Sequence, residues 1–424
     1  MIDGLIKRLG ERFCGIRDHR APNSTYYLSD SLKAAFAMFS LKAPSLLAFR
    51  ENYPIRSDNL RRVYDVEVVP GDTAMRESLD GVDPAELQAL FNLPWQEIRT
   101  HGLLADRRVL DGRLAISVDG TGHYASGKIS CPHCLVQTKR GGEEQYYHQL
   151  LAAVQVHPEQ SEVFALDGEA IRRQDGSEKN DCEQNAAKRL IPRIGEALPE
   201  ERLLYLLDGL YATGPFVHLL EEQQAAYLIT IKEGYVLLQA ERLDQQGQLE
   251  QVSWTDKKNQ YRVRFASQLI LNGANPETLV NYLEYEQVDR ESGKRTFKNS
   301  WITNLEVKAS TVREMVGVAR ARWKIENETF NTLKNQGYNL EHNYGHGKRY
   351  LATNFALLML LAFLVDQVAQ AADRAFQAAQ AAYRTKRAMW EKVQQVFDLI
   401  PAKSMSAIYR FVATKSPIDY PLLE

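Results

Sequence analysis

Residues 114–122 read LAISVDGTG and residues 203–214 read LLYLLDGLYATG. Each is an apolar run that ends in an Asp-Gly step, at Asp119 and at Asp208. Short apolar runs bounded by turn residues read as buried strands. A carboxylate at the C-terminal end of a central strand stands at the sheet edge, where open α/β sheets place ligands. If the two strands are neighbours, the carboxylates meet, and close carboxylates repel unless a divalent cation lies between them. Hard oxygen ligands with water suit Mg²⁺ or Mn²⁺. Each Asp also has a plain reading as a turn residue, and Asp208 as the cap of a following helix.

The neighbouring segments extend this pattern. YYHQLLAAVQVH (146–157) and EVFALDGEAI (162–171) predict two more strands, and NDCEQNAAKRLIPRIGEAL (180–198) a helix capped by Asn180 or Asp181. GPFVHLLEEQQ (214–224) predicts a helix and AAYLITIK (225–232) a fifth strand. The order β-β-β-α-β-α-β defines an α/β domain with a mixed sheet. VSWTD, YRVRFASQLIL, LVNYLEYEQVD and SWITNLEV then predict an all-β insertion. Residues 1–105 are mainly helical by periodicity, with NYPIRSDNLRRVYDVEVVPGDT as a mixed polar stretch between helices. Expected divisions are a helical N-terminal region (1–108), the first part of the core (109–233) and the insertion (234–305). The second part of the core (306–366) and a helical C-terminal region (367–424) follow.

Composition bounds the function. The chain has 424 residues, 44% hydrophobic and 25% charged, which excludes a disordered, collagenous or disulfide-scaffold protein. The longest apolar run, Phe355 to Val365, is eleven residues, about half a bilayer span, so a buried helix is expected and no membrane partner. Charges scattered through the first twenty residues, together with four cysteines, lead to the expectation of a reducing cytoplasm. Net charge is −2, so the chain is no bulk polycation. Its charge is uneven: residues 1–62 hold eleven Lys/Arg and six Asp/Glu, residues 196–250 three and ten, residues 306–350 eight and five. Such asymmetry permits a basic groove on a neutral protein, as does ordinary surface scatter.

The third element is ARARWKIENETFNTLKNQGYNLEH (319–342). Arg322, Glu326 and Phe330 share a helix face, and Trp323, Phe330 and Leu333 are spaced for core packing. Glu328 is a rival carboxylate but lies off the Arg322 face.

Here the sequence resembles bacterial insertion-sequence transposases with an RNase H-like fold and an Asp-Asp-Glu triad, over about residues 110–350. Asp119, Asp208 and Glu326 match the triad. The resembling branch carries an all-β insertion before the Glu and a signature of Tyr, two residues, Arg, three residues, Glu, six residues, Lys. Arg322 and Glu326 match that signature. Ala319 stands in place of the Tyr, and Lys334 comes one residue late, with Leu333 at the expected position. On an ideal helix Lys334 sits about 80° from Glu326, and a π-bulge would restore the alignment.

The resemblance implies an RNase H-like mixed sheet with Mg²⁺ or Mn²⁺ held by Asp119, Asp208 and Glu326. It implies metal-dependent cleavage and strand transfer at insertion-sequence ends. Arg322 would clamp a phosphate and Lys334 would face the DNA backbone. Some family members stack a flipped base on a Trp of the insertion, for which Trp254 and Trp301 are the candidates; both also read as packed strand residues. Implied partners are double-stranded DNA, as transposon ends and as target, and a second copy of the chain, with residues 1–108 as the end-binding region. A DNA nuclease without strand transfer and a catalytically silent DNA-binding protein are the alternatives.

Cys131-Pro-His-Cys134 is a CxxC in the loop between the first two strands. With Cys182 and His148, which the topology brings to the same end of the sheet, it makes a candidate tetrahedral Zn²⁺ site. His133 can stand in for His148, and reduced structural cysteines are the other reading.

Overall fold

A computed structural model describes residues 1–176 and 179–414. The side chains of 179–181 lie outside the described residues, and with them the cap expected at Asn180 or Asp181. Strands are β1 (Arg108–Val109), β2 (Arg113–Ser126), β3 (Leu135–Thr138), β4 (Glu144–Gln155), β5 (Phe164–Ile171), β6 (Leu203–Leu207), β7 (Ala226–Ile231), β8 (Glu250–Thr255), β9 (Asn259–Asn272), β10 (Asn275–Asp289) and β11 (Arg295–Thr303).

All eleven join one sheet, and its core runs β5-β4-β2-β6-β7. β2, β4 and β5 are successive antiparallel partners, whereas β6 and β7 run parallel to β2. Every residue of β6 and β7 is buried, as continuous apolar runs in a two-sided parallel sheet must be. The helices Lys179–Ala197 and Gly214–Glu222 supply the crossovers. This is an RNase H-like α/β fold with a β-rich insertion and helical regions at both ends.

The apolar helix is longer than its uninterrupted run, covering Leu351–Ala372. By length and hydropathy it could cross a membrane, yet 83% of its most apolar window is buried inside the protein. It is the central core helix.

Three expectations need correction. β2 does not stop at Asp119; it continues to Ser126 as a ribbon with β4, with its register shifting after His123. The insertion is not all β. It opens with a helix, Tyr235–Gln245, whose Val236 and Ala240 are buried and whose Gln239 bonds the backbone of Ile270 in both directions. NYPIRSDNLRRVY is no polar connector but the helix Tyr53–Tyr64, entered through Pro54 and burying Arg56, Asn59, Leu60 and Tyr64.

The insertion continues the core sheet, because β11 pairs antiparallel with β7. A row of rings crosses its strands: Trp254 to Tyr261 at 5.4 Å, Tyr261 to Tyr285 at 6.1 Å, Tyr285 to Phe297 at 5.8 Å between centroids. Arg313 lies over Trp254 at 5.1 Å, and Arg320 over Phe297 at 4.8 Å. Both arginines come from the helical segment that carries Glu326, so cation–π contacts fasten the insertion to it.

The terminal helical regions are tied to the core by a buried ion pair. Lys42 Nζ lies 2.5 Å from Asp366 Oδ2, and both are almost fully enclosed. The ammonium also donates to the Ser40 carbonyl at 2.9 Å and sits over the rings of Tyr338 and Trp390. Tyr338 donates its hydroxyl to the same Asp366 carboxylate. Burial pushes the Lys42 pKa down and the Asp366 pKa up. Removing one partner strands the other charge in the interior, so Lys42→Ala should destabilise the protein by roughly 3–5 kcal/mol, while Lys42→Met with Asp366→Leu should recover most of that. Denaturant unfolding of the three proteins checks this; a Lys42→Ala loss below about 1 kcal/mol contradicts it.

Candidate active site

β2 and β6 pair with Ser117 opposite Leu206. Continuing that register by two residues sets Asp119 across from Asp208, just where β6 ends. Asp208 caps the turn that follows, its Oδ1 accepting from the Leu210 amide at 2.9 Å. The capping reading therefore holds together with the edge position.

The segment bearing Glu326 is one rod with changes of winding. It is α-helical over Val312–Arg320, 3₁₀ over Ala321–Trp323, a π-helix over Ile325–Phe330, and α again over Asn331–Asn335. The wide turn falls between Glu326 and Lys334, where the late lysine calls for one. One extra residue in the turn reduces their angular offset from about 80° to about 20°. Lys334 Nζ lies 3.2 Å from Glu341.

Arg322 joins the elements. Its side chain is 9% exposed, with Nη1 donating to Asp119 Oδ2 at 3.0 Å and Nη2 to Glu326 Oε1 at 3.4 Å. Ser117 of β2 donates its hydroxyl to the Arg322 carbonyl at 3.0 Å, so backbone and side chain are both anchored to the same strand. Glu328 points elsewhere; its charge acts on Lys324 and Lys386.

Burial, only partly offset by Arg322, raises the Asp119 pKa to about 6, and the Glu326 carboxylate beside it adds to the rise. Burial also raises that of Asp208, with the Asp119 charge contributing. One guanidinium thus bonds Asp119 and Glu326, and Asp119 interacts with both Glu326 and Asp208. Beside them a cleft of ≈ 590 Å³ is lined by Asp208, Lys232, Lys298, Arg322 and Trp323.

Sequence reading missed several residues here. Trp323 is not core; it is 47% exposed with Arg322 stacked on its ring at 4.9 Å, because the 3₁₀ turn rotates it out of the packed face. Phe330 and Leu333 are buried as expected. Glu183, a buried carboxylate nearby, accepts from Tyr211 Oη at 3.2 Å, and a side chain at Gly120 would meet it. Lys232 and Lys298 gave no signal because each follows from strand pairing alone. Trp301 is 1% exposed in the sheet centre and has no face open to a base, which corrects its candidacy. Trp254 keeps a half-buried ring in the aromatic row.

The cysteine cluster differs from expectation by one member. Cys131, Cys134, His148 and His346 have ligand atoms all within 4.8 Å of one another, a set that could hold a metal ion. Cys182 stands apart, its thiol directed at the carbonyls of Gly176 and Arg173 at 3.7 and 3.9 Å. The helix bearing Cys182 packs its apolar side on β5, which turns that thiol into the core and away from the CxxC loop. His346 comes from a glycine-flanked segment between the Glu326 rod and the core helix.

An RNase H-like sheet with acidic residues just past the parallel pairing of two adjacent strands, and a Glu-bearing helix docked beside them, defines the class. Residues 112–364 match the transposase DDE domain, and the chain belongs to that family. Among solved structures, the piggyBac transposase synaptic complex with hairpin DNA is similar at 10% identity and a TM-score of 0.41, over 100% of this chain and 80% of that one. No curated protein matches the chain.

The raised Asp119 pKa has a stability consequence. A carboxylate with a folded pKa of about 6 and an unfolded pKa near 3.9 binds its proton more tightly in the folded state. Its contribution therefore falls as pH rises from about 4 to about 6 and stays low above that. In chelator at pH 7.5, Asp119→Asn should be more stable than the parent by about 1–3 kcal/mol, and the difference should vanish near pH 4. Thermal unfolding of both proteins across that range is the measurement; a variant less stable at pH 7.5 contradicts it.

Proposed function

We propose that the chain is a DNA transposase that cleaves phosphodiester bonds at insertion-sequence ends and joins the freed 3′ ends to target DNA. Asp119, Asp208 and Glu326 are its metal-holding carboxylates. The observation that carries this reading is the buried Arg322 fork shared by Asp119 and Glu326, beside Asp208 on the adjacent strand. Family membership supports it.

The residues fit Mg²⁺ or Mn²⁺. The donors are hard carboxylate oxygens, one on β2 and one at the end of β6, and burial raises the pKa of both despite Arg322. Two such cations, when bound, activate an attacking water or 3′-hydroxyl and stabilise the leaving oxygen of an in-line displacement at phosphorus. The protein's own groups do the rest. Arg322 fixes the Glu326 carboxylate against Asp119 of β2, which holds these two acids together ahead of metal and DNA binding. Lys232 and Lys298 offer charge to a phosphate entering the cleft, and Lys334, further along the Glu326 rod, would face the DNA backbone. Trp323 presents a flat apolar face beside the cleft, and Trp254 a second one on the insertion. Two copies of the chain acting on paired ends complete the reading.

Cleavage of a duplex carrying the element end and flanking DNA tests this. Asp119→Asn, Asp208→Asn and Glu326→Gln should each lose on the order of 10²–10³-fold or more in rate, as for other lost transition-state charge contacts. Glu328→Gln should stay within about threefold of the parent, since Glu328 does not contact Arg322. An inactive Glu328→Gln beside an active Glu326→Gln reverses the assignment, and four active variants end the proposal.

DNA binding should weaken steeply with salt although net charge is −2. Neutralising six phosphates gives a log–log slope of about −5. Fluorescence anisotropy with labelled end DNA over a salt series reads the slope; a flat response excludes phosphate-driven binding.

A further inference from the structure

Outside the carboxylate site, one buried cluster consists of metal-ligating atoms alone. Cys131 Sγ lies 3.4 Å from Cys134 Sγ and 3.4 Å from His148 Nε2. Cys134 Sγ lies 3.5 Å from His148 Nε2 and 3.1 Å from His346 Nδ1. Around a tetrahedral Zn²⁺ with ordinary bond lengths, sulfur–sulfur and sulfur–nitrogen edges are about 3.6–3.8 Å. Four of the six edges, at 3.1–3.5 Å, stand close to that spacing, and the other two lie within 4.8 Å. Cys134, His148 and His346 are all below 9% exposed, and Cys131 forms the outer edge.

The surroundings orient the ligands. The Cys131 amide donates to Cys134 Sγ at 3.2 Å, and the Cys134 amide donates to the Cys131 carbonyl at 3.2 Å, which closes the CxxC into a turn with both sulfurs on one side. The Asn343 side-chain amide meets His346 Nε2 at 3.1 Å, leaving Nδ1 to face the sulfurs. Gly345 and Gly347 flank His346 at φ +133° and +71°, where a side chain is strained. The carboxylate of Asp80 then accepts from the amides of Lys348, Arg349, Tyr350 and Leu351 at 2.9–3.1 Å. His346 is thus held in place by backbone that is itself tied down.

We propose that Cys131, Cys134, His148 and His346 bind one structural Zn²⁺ per chain, which clasps the β2–β3 loop and β4 to the segment joining the Glu326 helix to the core helix. Two thiolates and two imidazoles are a soft donor set that selects zinc over magnesium. All four positions are filled by protein, so the site is closed and structural. Its placement gives it a role. Cys131 follows Asp119 by twelve residues, and His346 follows the end of the Glu326 helix at Asn335 by eleven. The ion therefore brackets both carboxylate-bearing segments while staying apart from the carboxylates themselves.

Zinc content of the purified full-length chain, desalted over a chelating resin, tests this directly and needs no DNA, so it stands apart from the transposase reading. About one equivalent is expected. Less than about a tenth of an equivalent, in protein grown with zinc and folded by circular dichroism, overturns the proposal. His346→Asn should lose most of the zinc and Cys182→Ser should keep it; the reverse pattern overturns the ligand set. Should His346→Asn fail to fold, Co²⁺ substitution of the parent decides: intense tetrahedral visible bands with thiolate charge transfer are expected, and a weak octahedral spectrum overturns the proposal. A Cys131–Cys134 disulfide found by mass spectrometry in freshly purified protein would also overturn it, since that bond consumes both sulfur ligands.

Discussion

The arrangement depends on one buried guanidinium. It belongs to Arg322, which lies on an element that must pack against the sheet. Burial of that charge demands acceptors, and Asp119 from β2 and Glu326 from one turn further along the same rod provide them. The pairing fixes the rod's position along β2, with the Ser117 hydroxyl holding the Arg322 carbonyl as a second point of register. Once that docking is set, the parallel pairing of β2 with β6 carries Asp208 to the same place. Burial is the main cause of the raised Asp119 and Asp208 pKa values, and the neighbouring carboxylate charge adds to each.

The same rod also orients the insertion. Arg313 and Arg320 lie on its α-helical stretch and cap the aromatic row of β8 to β11, while Arg322, two residues past Arg320, turns to the carboxylates. A uniform α-helix places residues two apart on opposed faces. The winding exploits this: one face meets the insertion rings and the other meets β2. The following π turn widens the rod where Glu326 sits and brings Lys334 back toward the Glu326 side. Local winding thus lets three neighbouring structures share one short element.

Most of the fold was legible because its signals are local. The apolar runs of β6 and β7 and the periodicity of the rod read correctly from residues a few positions apart. The strand-terminal acids and the shared face of Arg322 and Glu326 were legible for the same reason. What escaped depends on pairing or on winding. The extension of β2 past Asp119 is stabilised by β4 across a ribbon, not by its own apolar content. Trp323 was read as core because 100° per residue was assumed through a turn that is 3₁₀. Sequence points to Cys182 as the fourth ligand because it shows thiols but not which loop folds back; His346 arrives through two positive-φ glycines and the Asp80 anchor, both beyond local reading. The Tyr53–Tyr64 helix was hidden by polar residues that are buried and paired, such as Arg56 with Asp398 and Asn59 with the Phe397 carbonyl.

Charge illustrates the same limit from the other side. The basic excess of residues 1–62 suggested a DNA-facing surface, yet three of those cations are internal. Lys33 pairs with Asp65, Lys42 with Asp366 and Arg56 with Asp398. Lys42 and Arg56 reach acids of the C-terminal half, so part of the apparent N-terminal charge holds the helical regions together. Exposed Lys7, Arg12, Arg17, Arg61 and Arg62 remain available on the surface. By contrast, Lys232, Lys298 and Arg322 come from three different elements, and one of them from a region that is acidic by count, yet they line the cleft beside Asp208. A chain near neutrality can offer a phosphate-binding cleft because field depends on where charges sit and what dielectric surrounds them, and not on their sum.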